Sequence, residues 1–418
     1  MAIGARIDRG SPCSARTAKA LPLQSHRDRA RVLDELHARP FSPADTPCRL
    51  LHFAFQVDDD AAERDRLGIE RRAAAEAGSN GTMGDRRHVT LGDGHLRWER
   101  HSEFVSYTLR IPWDGQAKWP EDLTAPGPLL VAVDLRMMAQ AAGQSAMVRT
   151  SIVDDRAILE TNFAADENGF VAMTIINCDM NQAMAGATVQ RVLEIETYRC
   201  FALLGLPVAE QSARVMAAIE NALPSLMEDM DAASSLEDNK DLLERLTCMS
   251  LELERNSAAT HFRFGATKAY AELVRLRIEA LAERPDLDHQ SLVAFFSRRF
   301  DPAVRTCATC AEREANLARK LTRAAQLLRT RVEIALESQN RDLLATMNDR
   351  ARLQLRLQQT VEGLSVAAIA YYVASLLHLF LSGIEFFKGA LAVDRMTAIA
   401  IIPILLVVHR FTSRFRPS

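Results

Sequence analysis

The fold is determined near the C-terminal end of the chain, where residues 303–362 read AVRTCATCAEREANLARKLTRAAQLLRTRVEIALESQNRDLLATMNDRARLQLRLQQTVE. These sixty residues contain neither glycine nor proline, the two residues that most often end a helix. The stretch predicts one or two unusually long helices, and a single one would reach roughly 90 Å at about 1.5 Å per residue. We interpret residues 302–363 as a long stalk helix.

The stalk leads directly into two apolar segments. Leu364–Ile384 carries no formal charge and is long enough to cross a hydrocarbon core of roughly 30 Å. Met396–Val408 would span only about 20 Å as a helix, and it contains Pro403. We predict that residues 364–408 form a two-helix transmembrane hairpin, with one span plus a re-entrant or interfacial helix as the alternative.

Charges near the apolar segments predict the orientation. Six arginines flank the hairpin on its stalk side: Arg350, Arg352, Arg356, Arg410, Arg414 and Arg416. The connecting segment has only Lys388 and Arg395. Residues 1–29 lack the apolar core of a secretory signal, so we interpret them as a disordered tail, with an organelle transit peptide as the alternative. Both termini, including the basic tail 409–418, are therefore expected in the cytoplasm.

An apolar stripe runs along the stalk at spacings of seven and four residues, through Leu321, Leu328, Val332, Leu336, Leu343 and Met347. Such a stripe is typical of a coiled coil or a packed helical hairpin, and it favours a homo-oligomer. The net charge of −3 gives no electrostatic reason to expect a nucleic-acid partner.

Ahead of the stalk the pattern is that of an α+β protein. Residues 30–180 predict a mostly antiparallel α/β domain, with hairpins at Gly92–Gly94 and Asp166–Gly169 and an alternating strand from Val105 to Ile111. Leu129–Met137 predicts a more continuously apolar strand, and Asp60–Ala77 a charged helix. Residues 181–301 predict an all-α region with helices near 182–204, 208–230, 237–254, 258–283 and 289–299.

One group of polar side chains suits metal or acid–base chemistry. Its members are His95, Arg97, Glu99, His101 and Glu103, which would share one face of a straight strand. Because Val105, Tyr107 and Leu109 continue the same parity, a bend must intervene. The alternative is an ordinary solvent face. We predict no cofactor and leave a divalent cation open, with His95, Glu99, His101 and Glu103 as its ligands.

Three further clusters have both a functional and a structural interpretation. His37 and Arg39 would bind an anion, or cap a helix and dock the chain ahead of the first strand. Cys307 and Cys310 form a lone CxxC, which suits ordinary helix cysteines or weak redox reactivity at a helix N-terminus. The seven cysteines are scattered, as expected for reduced thiols.

The third cluster falls on one helix and consists of Glu194, Glu196, Tyr198 and Arg199. A structural network with a Glu196–Arg199 pair is favoured there over catalysis.

Polar residues inside the first apolar segment define candidate pore-facing positions. Ser375, His378, Ser382 and Glu385 recur at spacings of three and four and would form one stripe. An ionisable residue such as His378 inside a span suggests a pore or a proton relay. The alternative is a neutral histidine hydrogen-bonded to a neighbouring helix or a partner subunit.

Four blocks of sequence carry a family resemblance: Glu35–Phe41, Arg97–Phe104, Leu193–Arg199 and Leu353–Ser365. They resemble the signature blocks of the bacterial membrane-anchored proteins grouped as domain-of-unknown-function family 3422. The resemblance extends from about residue 25 to the second apolar segment. It implies a bacterial inner-membrane protein and supplies no activity and no catalytic residue.

The architecture also resembles CorA-type magnesium channels, in which a cytosolic α+β domain is followed by a long helix and two spans. That resemblance implies an oligomer whose first spans line a pore. The Gly-Met-Asn motif of those channels is missing, because the corresponding stretch reads Leu381-Ser382-Gly383-Ile384-Glu385-Phe386. This departure counts against ion selectivity of the CorA kind.

Three functions follow from these patterns. The first is an oligomeric membrane-anchored coupling or scaffold protein with no enzymatic activity, whose partners are the lipid bilayer and a protein that the sequence does not identify. The alternative is a CorA-like divalent cation channel or transporter. The third is a membrane-tethered enzyme or metal-binding sensor that uses the 95–103 face. No GxGxxG, Walker, GxSxG or HExxH arrangement favours a particular enzyme class.

Overall fold

The computed structural model of the chain describes residues 27, 29, 41–75, 86–91, 94–121, 123–140, 146–285, 289–383 and 390–414. The chain divides into two compact units, Met1–Asn221 with Leu251–Arg319 and Ala222–Ser250 with Lys320–Ser418. The His37 and Arg39 cluster lies outside the described residues, as does the tail 1–29 apart from residues 27 and 29.

The first unit is built on one sheet, to which the described residues contribute nine strands. They are β1 (Cys48–Gln56), β2 (Arg86–Leu91), β3 (Gly94–Arg100), β4 (Phe104–Ile111), β5 (Leu129–Met138), β6 (Val148–Ile152), β7 (Ala157–Ala165), β8 (Val171–Asn177) and β9 (Arg284–Pro285). Their order across the sheet is β2-β3-β4-β1-β5-β8-β7-β6-β9. Only β5 and β8 pair in parallel among these strands, so the predicted mostly antiparallel sheet is confirmed.

Six helices follow or separate these strands along the described chain. They are α1 (Asp59–Ala75), α2 (Gln182–Leu203), α3 (Gly205–Ala232), α4 (Leu236–Glu279), α5 (Leu292–Gly383) and α6 (Ala390–Arg414). The predicted arrangement of an N-terminal α/β region followed by a long helical region is confirmed.

Strand β1 shows how the sheet separates its two faces. Because successive side chains of a strand point to opposite sides, Leu51, Phe53 and Phe55 enter one core, whereas Cys48 and Ala54 enter the other. The first core is covered by α1 and the second by α2 together with the parts of α4 and α5 that belong to this unit.

Helix α1 is fixed to the first core by one carboxylate. Asp65 accepts a hydrogen bond from the Tyr107 hydroxyl at 2.6 Å and another from the Trp98 indole N–H at 2.8 Å. Trp98 and Tyr107 are both buried, so their polar atoms need these partners. Burial raises the pKa of Asp65 above its ordinary value.

Helix α2 begins at a capped end beside the N-terminal segment. The Asn181 side chain accepts a hydrogen bond from the Met184 N–H at 2.9 Å, as an N-cap residue does. Gly186 follows within the first turns, and a Cβ atom there would lie 2.0 Å from the Ser42 carbonyl oxygen. The absence of a side chain at Gly186 is therefore what lets residues 42–44 cross the helix.

Two of the predicted helix boundaries are wrong. The helices expected at 237–254 and 258–283 form the single helix α4. The polar residues between them bind neighbouring helices, since Asn256 Nδ2 donates to Ser212 Oγ at 2.7 Å and to Glu314 Oε1 at 2.8 Å. These hydrogen bonds provide partners for the Asn256 side chain, so the helix continues through the junction.

The other wrong boundary is Pro302, where the stalk helix was expected to begin. Helix α5 begins at Leu292 and contains Pro302 in its interior, although a proline there costs about 3 kcal/mol. Phe296 and Phe300 before the proline and Cys307 after it are all buried. Packing on both sides of Pro302 therefore keeps the helix continuous.

In the second unit the apolar stripe of the stalk divides into two parts. Leu321 and Leu328 are buried, and the Arg331 guanidinium donates to the Met230 carbonyl oxygen. From Glu333 to Val361 no described residue of α5 is buried, and Leu343 and Met347 are 57% and 66% exposed. The first part of the stripe is thus covered within the chain, as a packed helical hairpin would be, and the second part is not.

A buried ion pair joins β1 to β5. Arg49 Nε and Nη2 donate to the two oxygens of Asp134 at 2.8 and 2.7 Å, and its Nη1 donates to the carbonyl oxygens of Trp113 and Gly115. The side chains of Arg49 and Asp134 are only 6% and 11% exposed. Removing Arg49 would leave the buried Asp134 carboxylate with only a 3.3 Å contact to the half-exposed Arg136 guanidinium.

We predict that Arg49→Met lowers the free energy of unfolding by about 3 kcal/mol, because it leaves the buried Asp134 carboxylate with only the 3.3 Å contact to Arg136 Nη2. The matched control is Arg110→Met, which breaks the more exposed Arg110–Asp45 pair and should cost less than about 1 kcal/mol. Urea unfolding followed by tryptophan fluorescence measures both, since all three tryptophans lie in the first unit. Equal losses in the two variants would contradict this ranking.

Candidate functional site

A cavity of about 390 Å³ lies in the first unit between α2 and the face formed by β1, β3 and β4. Its lining combines an apolar wall with a set of polar side chains. The polar members include His52, His95, Arg97, Glu99, His101, Ser106, Thr108, Arg110, Gln190, Glu194, Thr197 and Tyr198. The exposed His95 lies at one side of the lining, so water can enter the space from the surface. The cavity is therefore suited to hold water or a small molecule.

The strand pattern explains why polar groups gather there. Arg97 on β3 lies opposite Thr108 on β4, and Thr108 lies opposite His52 on β1, so all three occupy the same face. The alternate residues Leu96 and Trp98 belong to the other, apolar core. The predicted common face of residues 95, 97 and 99 is confirmed.

The bend predicted before Val105 is also confirmed. Strand β3 ends at Arg100 and β4 begins at Phe104, with the His101 N–H donating to the Phe104 carbonyl oxygen at 2.8 Å. The turn changes which parity faces the cavity, so that even-numbered residues of β4 continue the face begun by odd-numbered residues of β3. Glu103 is carried away from the cavity and pairs with the Arg263 guanidinium.

His52 is a neutral hydrogen-bonding group at the base of the cavity. Thr197 donates its hydroxyl proton to the Leu193 carbonyl oxygen at 2.8 Å, so it accepts from His52 Nε2–H at 3.0 Å. The other ring nitrogen, Nδ1, then accepts from the Thr108 hydroxyl at 2.9 Å. Burial lowers the pKa of His52 to about 4, so the ring carries no charge at neutral pH.

Arg97 is the centre of a charged network that crosses from β3 to α2. Its Nη1 donates to Gln190 Oε1 at 2.9 Å and its Nη2 donates to Glu99 Oε1 at 2.8 Å. Gln190 Nε2 donates in turn to Glu194 Oε1 at 2.7 Å, and the Arg277 Nε donates to the other oxygen of Glu194. Arg97 Nε is buried and has no hydrogen-bond partner.

The four predicted metal ligands are only partly brought together. His95 is exposed, Glu99 is held by Arg97, and His101 stacks on Phe104 with ring centroids 4.0 Å apart. Glu103 lies in its separate ion pair. No group of three or more His, Cys, Asp or Glu side chains within the described ranges is arranged to hold a metal ion.

The α2 cluster forms the structural network that the sequence favoured. Arg199 Nε donates to Glu196 Oε2 at 2.8 Å, which confirms the predicted pair, and Glu196 is buried. Tyr198 stacks on Tyr270 at 5.7 Å. Only Glu194 and Tyr198 of this cluster line the cavity.

The cysteine pair lies well inside α5, so the helix N-terminus that would favour a thiolate is not there. Cys307 and Cys310 are buried, and burial raises the pKa of the Cys307 thiol to about 11. Cys310 Sγ donates to the Ala209 carbonyl oxygen at 3.5 Å. Of the six cysteines that the structure describes, all are free, and Cys178 and Cys248 are exposed.

The candidate pore-facing residues lie near the end of α5. His378 Nδ1 is 3.3 Å from Thr397 Oγ1 and 3.9 Å from Asp394 Oδ1, both on α6. Ser375 is exposed, and the exposed Ser382 donates its hydroxyl to the Leu379 carbonyl oxygen. Glu385 lies outside the described residues.

Comparison with known proteins identifies a family and adds no activity. Residues 24–418 match the model of the family described as Protein of unknown function (DUF3422). No curated protein and no solved structure matches the chain. Two of the four blocks that carried the family resemblance, Arg97–Phe104 and Leu193–Arg199, contribute side chains to the cavity.

We predict that His52 makes the stability of the first unit depend on pH. Because burial holds its pKa near 4 in the folded chain against about 6.5 unfolded, protons bind the unfolded state preferentially between these values. Stability is then complete above about pH 6.5 and falls as the pH is lowered, by roughly 2 kcal/mol at pH 5.

His52→Gln keeps one donor and one acceptor but has no proton to bind. Urea unfolding monitored by tryptophan fluorescence at pH 7.5 and 5.0 should show roughly 2 kcal/mol less pH-dependent loss in this variant than in the wild type. The same loss in both proteins would show that His52 is not the titrating group.

Proposed function

Because the chain belongs to the family described as Protein of unknown function (DUF3422), which carries no assigned activity, we propose a function from its own features. The protein is an integral bacterial inner-membrane protein with a large cytosolic part, and it acts as an oligomeric coupling or scaffold protein.

The observation that supports this proposal most is the apolar end of α5. The helix continues without interruption into residues 364–383, where Leu364, Leu376 and Phe380 are 74%, 65% and 67% exposed. Only 11% of its most apolar window is buried within the chain. Water-exposed apolar surface of this extent is rare in soluble proteins, whereas a bilayer would cover it.

Helix α6 supplies the second membrane segment of the proposal. Its apolar part, Thr397–Arg410, is shorter than a full span and contains Pro403. The hydrogen bond between His378 and Thr397 joins α5 to α6 and gives two polar groups a partner inside the apolar pair. Both helices would then insert together as a hairpin.

Arginines support the proposed orientation. Arg350, Arg352 and Arg356 precede the apolar end of α5, and Arg410 and Arg414 end α6. A basic excess on one side of two spans predicts that this side, and with it both termini, stays in the cytoplasm.

The uncovered middle of the stalk supports self-association. Ile334, Leu343, Met347 and Leu353 are each more than half exposed on α5. Association of α5 helices from several copies would bury these side chains, as in a coiled coil. The long helix would then couple the state of the cytosolic part to the membrane segments.

A CorA-like cation channel is the second candidate. Ser375 and Ser382 are exposed within the apolar end of α5, where polar side chains on neighbouring copies would line a common path. The hydrogen bond between His378 and Thr397 of the same chain weakens the channel candidate, because it directs the His378 side chain toward α6.

We predict that the full-length protein sediments with membranes and resists extraction by alkaline carbonate. A chain truncated after Glu362 loses the apolar end of α5 and all of α6, and it should remain in the supernatant with the tryptophan fluorescence of the folded first unit. Recovery of the full-length protein in the supernatant would refute membrane anchoring.

The channel candidate makes a separate prediction. Vesicles containing the purified oligomer should take up Mg²⁺ or Co²⁺, and Ser375→Leu should reduce the uptake because it replaces a pore-lining hydroxyl. Leu376→Ala is the matched control on the next position of the helix. A verified oligomer without cation uptake would leave the scaffold function as the proposal.

A further inference from the structure

The exposed middle of α5 carries a regular seven-residue repeat that leads into its apolar end. Alternating steps of four and three residues connect nine positions, which we call the seam: Leu336, Asn340, Leu343, Met347, Arg350, Gln354, Leu357, Val361 and Leu364. Six of the nine are apolar, and all nine are exposed. These four heptads span roughly 42 Å of helix, and a repeat of about this length is typical of a coiled coil.

No part of the described chain covers the seam. Packing within the chain on this stretch of α5 ends near Leu328, which is buried, and Arg331, which bonds to the Met230 carbonyl oxygen. Beyond that point Met347 and Val361 are 66% and 63% exposed. The whole seam belongs to the second compact unit. A row of exposed apolar side chains along one helix face indicates a surface that binds another helix.

The amides of the seam indicate which helix that is. A buried amide needs both a donor and an acceptor opposite it, because an unpaired buried polar group is costly. A second copy of the chain, parallel and in the same register, sets Asn340 opposite Asn340 and Gln354 opposite Gln354. Each amide then meets a matching amide. Pairing the full seam in the opposite direction would instead set Asn340 near the apolar Val361.

The positions that flank the seam are compatible with pairing of identical chains. In this frame there are eight of them: Glu337, Gln339, Leu344, Thr346, Ala351, Leu353, Gln358 and Thr360. Only Glu337 is charged. Charges at flanking positions select partners in coiled coils, and a row of like charges would drive two copies apart. Here no such row exists, and the flanking Leu344 and Leu353 enlarge the apolar surface.

Arg350 is the one charged member of the seam, and it limits the strength of the contact. Two copies in register bring two guanidinium groups to the same level, which costs stability. The long side chain can keep its charged end in water while its stem lies on the seam. Anchoring of both copies in one bilayer would offset the remaining cost, because it raises their effective concentration.

We propose that α5 pairs with α5 of a second copy of this chain, parallel and in register, along the seam from Leu336 to Leu364. The parallel direction rests on the proposed membrane anchor, since two copies anchored by the same end of α5 in one bilayer run the same way. Asn340 and Gln354 set the register, as a polar residue at a seam position does in coiled coils at some cost in stability.

Disulfide cross-linking of the full-length chain in intact cells tests the contact. The background carries serine in place of Cys13, Cys178 and Cys248, so the exposed native thiols that the structure describes are removed. Met347→Cys and Leu357→Cys place a thiol on the seam, whereas the matched controls Ala345→Cys and Gln359→Cys place it on the opposite face of the same turns. Because a disulfide requires Cα atoms within about 7 Å, each seam variant should give at least about fivefold more covalent dimer than its control.

A second cross-linking experiment determines the direction. Leu336→Cys and Leu364→Cys lie at the two ends of the seam, roughly 42 Å apart along the helix. In the parallel pair each variant links to itself. When the two variants are produced together with different tags, they should form no mixed covalent dimer, whereas antiparallel pairing would favour the mixed dimer.

Sedimentation of the purified full-length protein in detergent measures the contact without added cysteines. The double variant Met347→Asp, Leu357→Asp places two carboxylates in the seam of each copy, and it should raise the dimer Kd at least about tenfold. The matched double variant Ala345→Asp, Gln359→Asp should change it less than about threefold. All four positions are exposed, so neither variant disturbs packing within the chain.

The inference is overturned if seam and control thiols cross-link equally, if the mixed dimer predominates, or if the seam thiols link to a different protein. Carbonate extraction of the same cells separates this result from the proposed function. Chains that resist extraction without seam cross-links would refute the pairing and keep the membrane anchor. Chains that are extracted and still cross-link at the seam would refute the anchor and keep the pairing.

Discussion

The polar face of β3 and β4 beneath α2 is the constraint on which the first unit depends. Polar groups buried between a sheet and a helix are tolerated only when each finds a partner. Arg97 and Glu99 therefore join Gln190 and Glu194 in one connected network, and His52 is fixed by two threonines. The opposite face of the same strands packs as an apolar core against α1. The hydrogen bonds between the polar face and α2 are made by the ends of long side chains. The backbone of α2 therefore lies at a distance from the sheet, and a cavity remains between them.

Much of the fold follows from local signals in the sequence. The hairpin at Asp166–Gly169 forms because Gly169 takes a positive φ of 84° and Asp166 accepts the N–H groups of Asn168 and Phe170. The stalk is helical because nothing in it ends a helix. The failures lie where tertiary packing overrides a local signal: Pro302 stays inside α5 between the buried Phe300 and Cys307, and β9 is a two-residue strand containing a proline. Neither the continuation of α5 through Pro302 nor the strand β9 has a periodic hydrophobic pattern in the sequence that would predict it.

The candidate site was only half predictable for a related reason. His95, Arg97 and Glu99 form a period-two pattern, and a strand turns such a pattern into a shared face. His52 gives no comparable signal, because its neighbours on the same face of β1, Leu50 and Ala54, are apolar. Gln190 also gives no signal in the sequence, because its hydrogen bond to Arg97 depends on the packing of α2 over β3. Glu103 was assigned to the wrong group because a turn between two strands reverses the parity that a straight strand would keep.

The distribution of the thiols has a consequence for chemistry on the intact protein. Burial protects Cys48, Cys307 and Cys310 from electrophiles, and it raises the pKa of Cys307 so that little thiolate is present. Cys178 and Cys248 are exposed, and one belongs to each compact unit. Cys200 is half-buried, and burial raises the pKa of its thiol to about 12, so it carries little thiolate. Among the described cysteines, a maleimide reagent would therefore mark each unit once. In a variant with Cys13 replaced by serine, labels on Cys178 and Cys248 would allow the distance between the two units to be measured by spectroscopy.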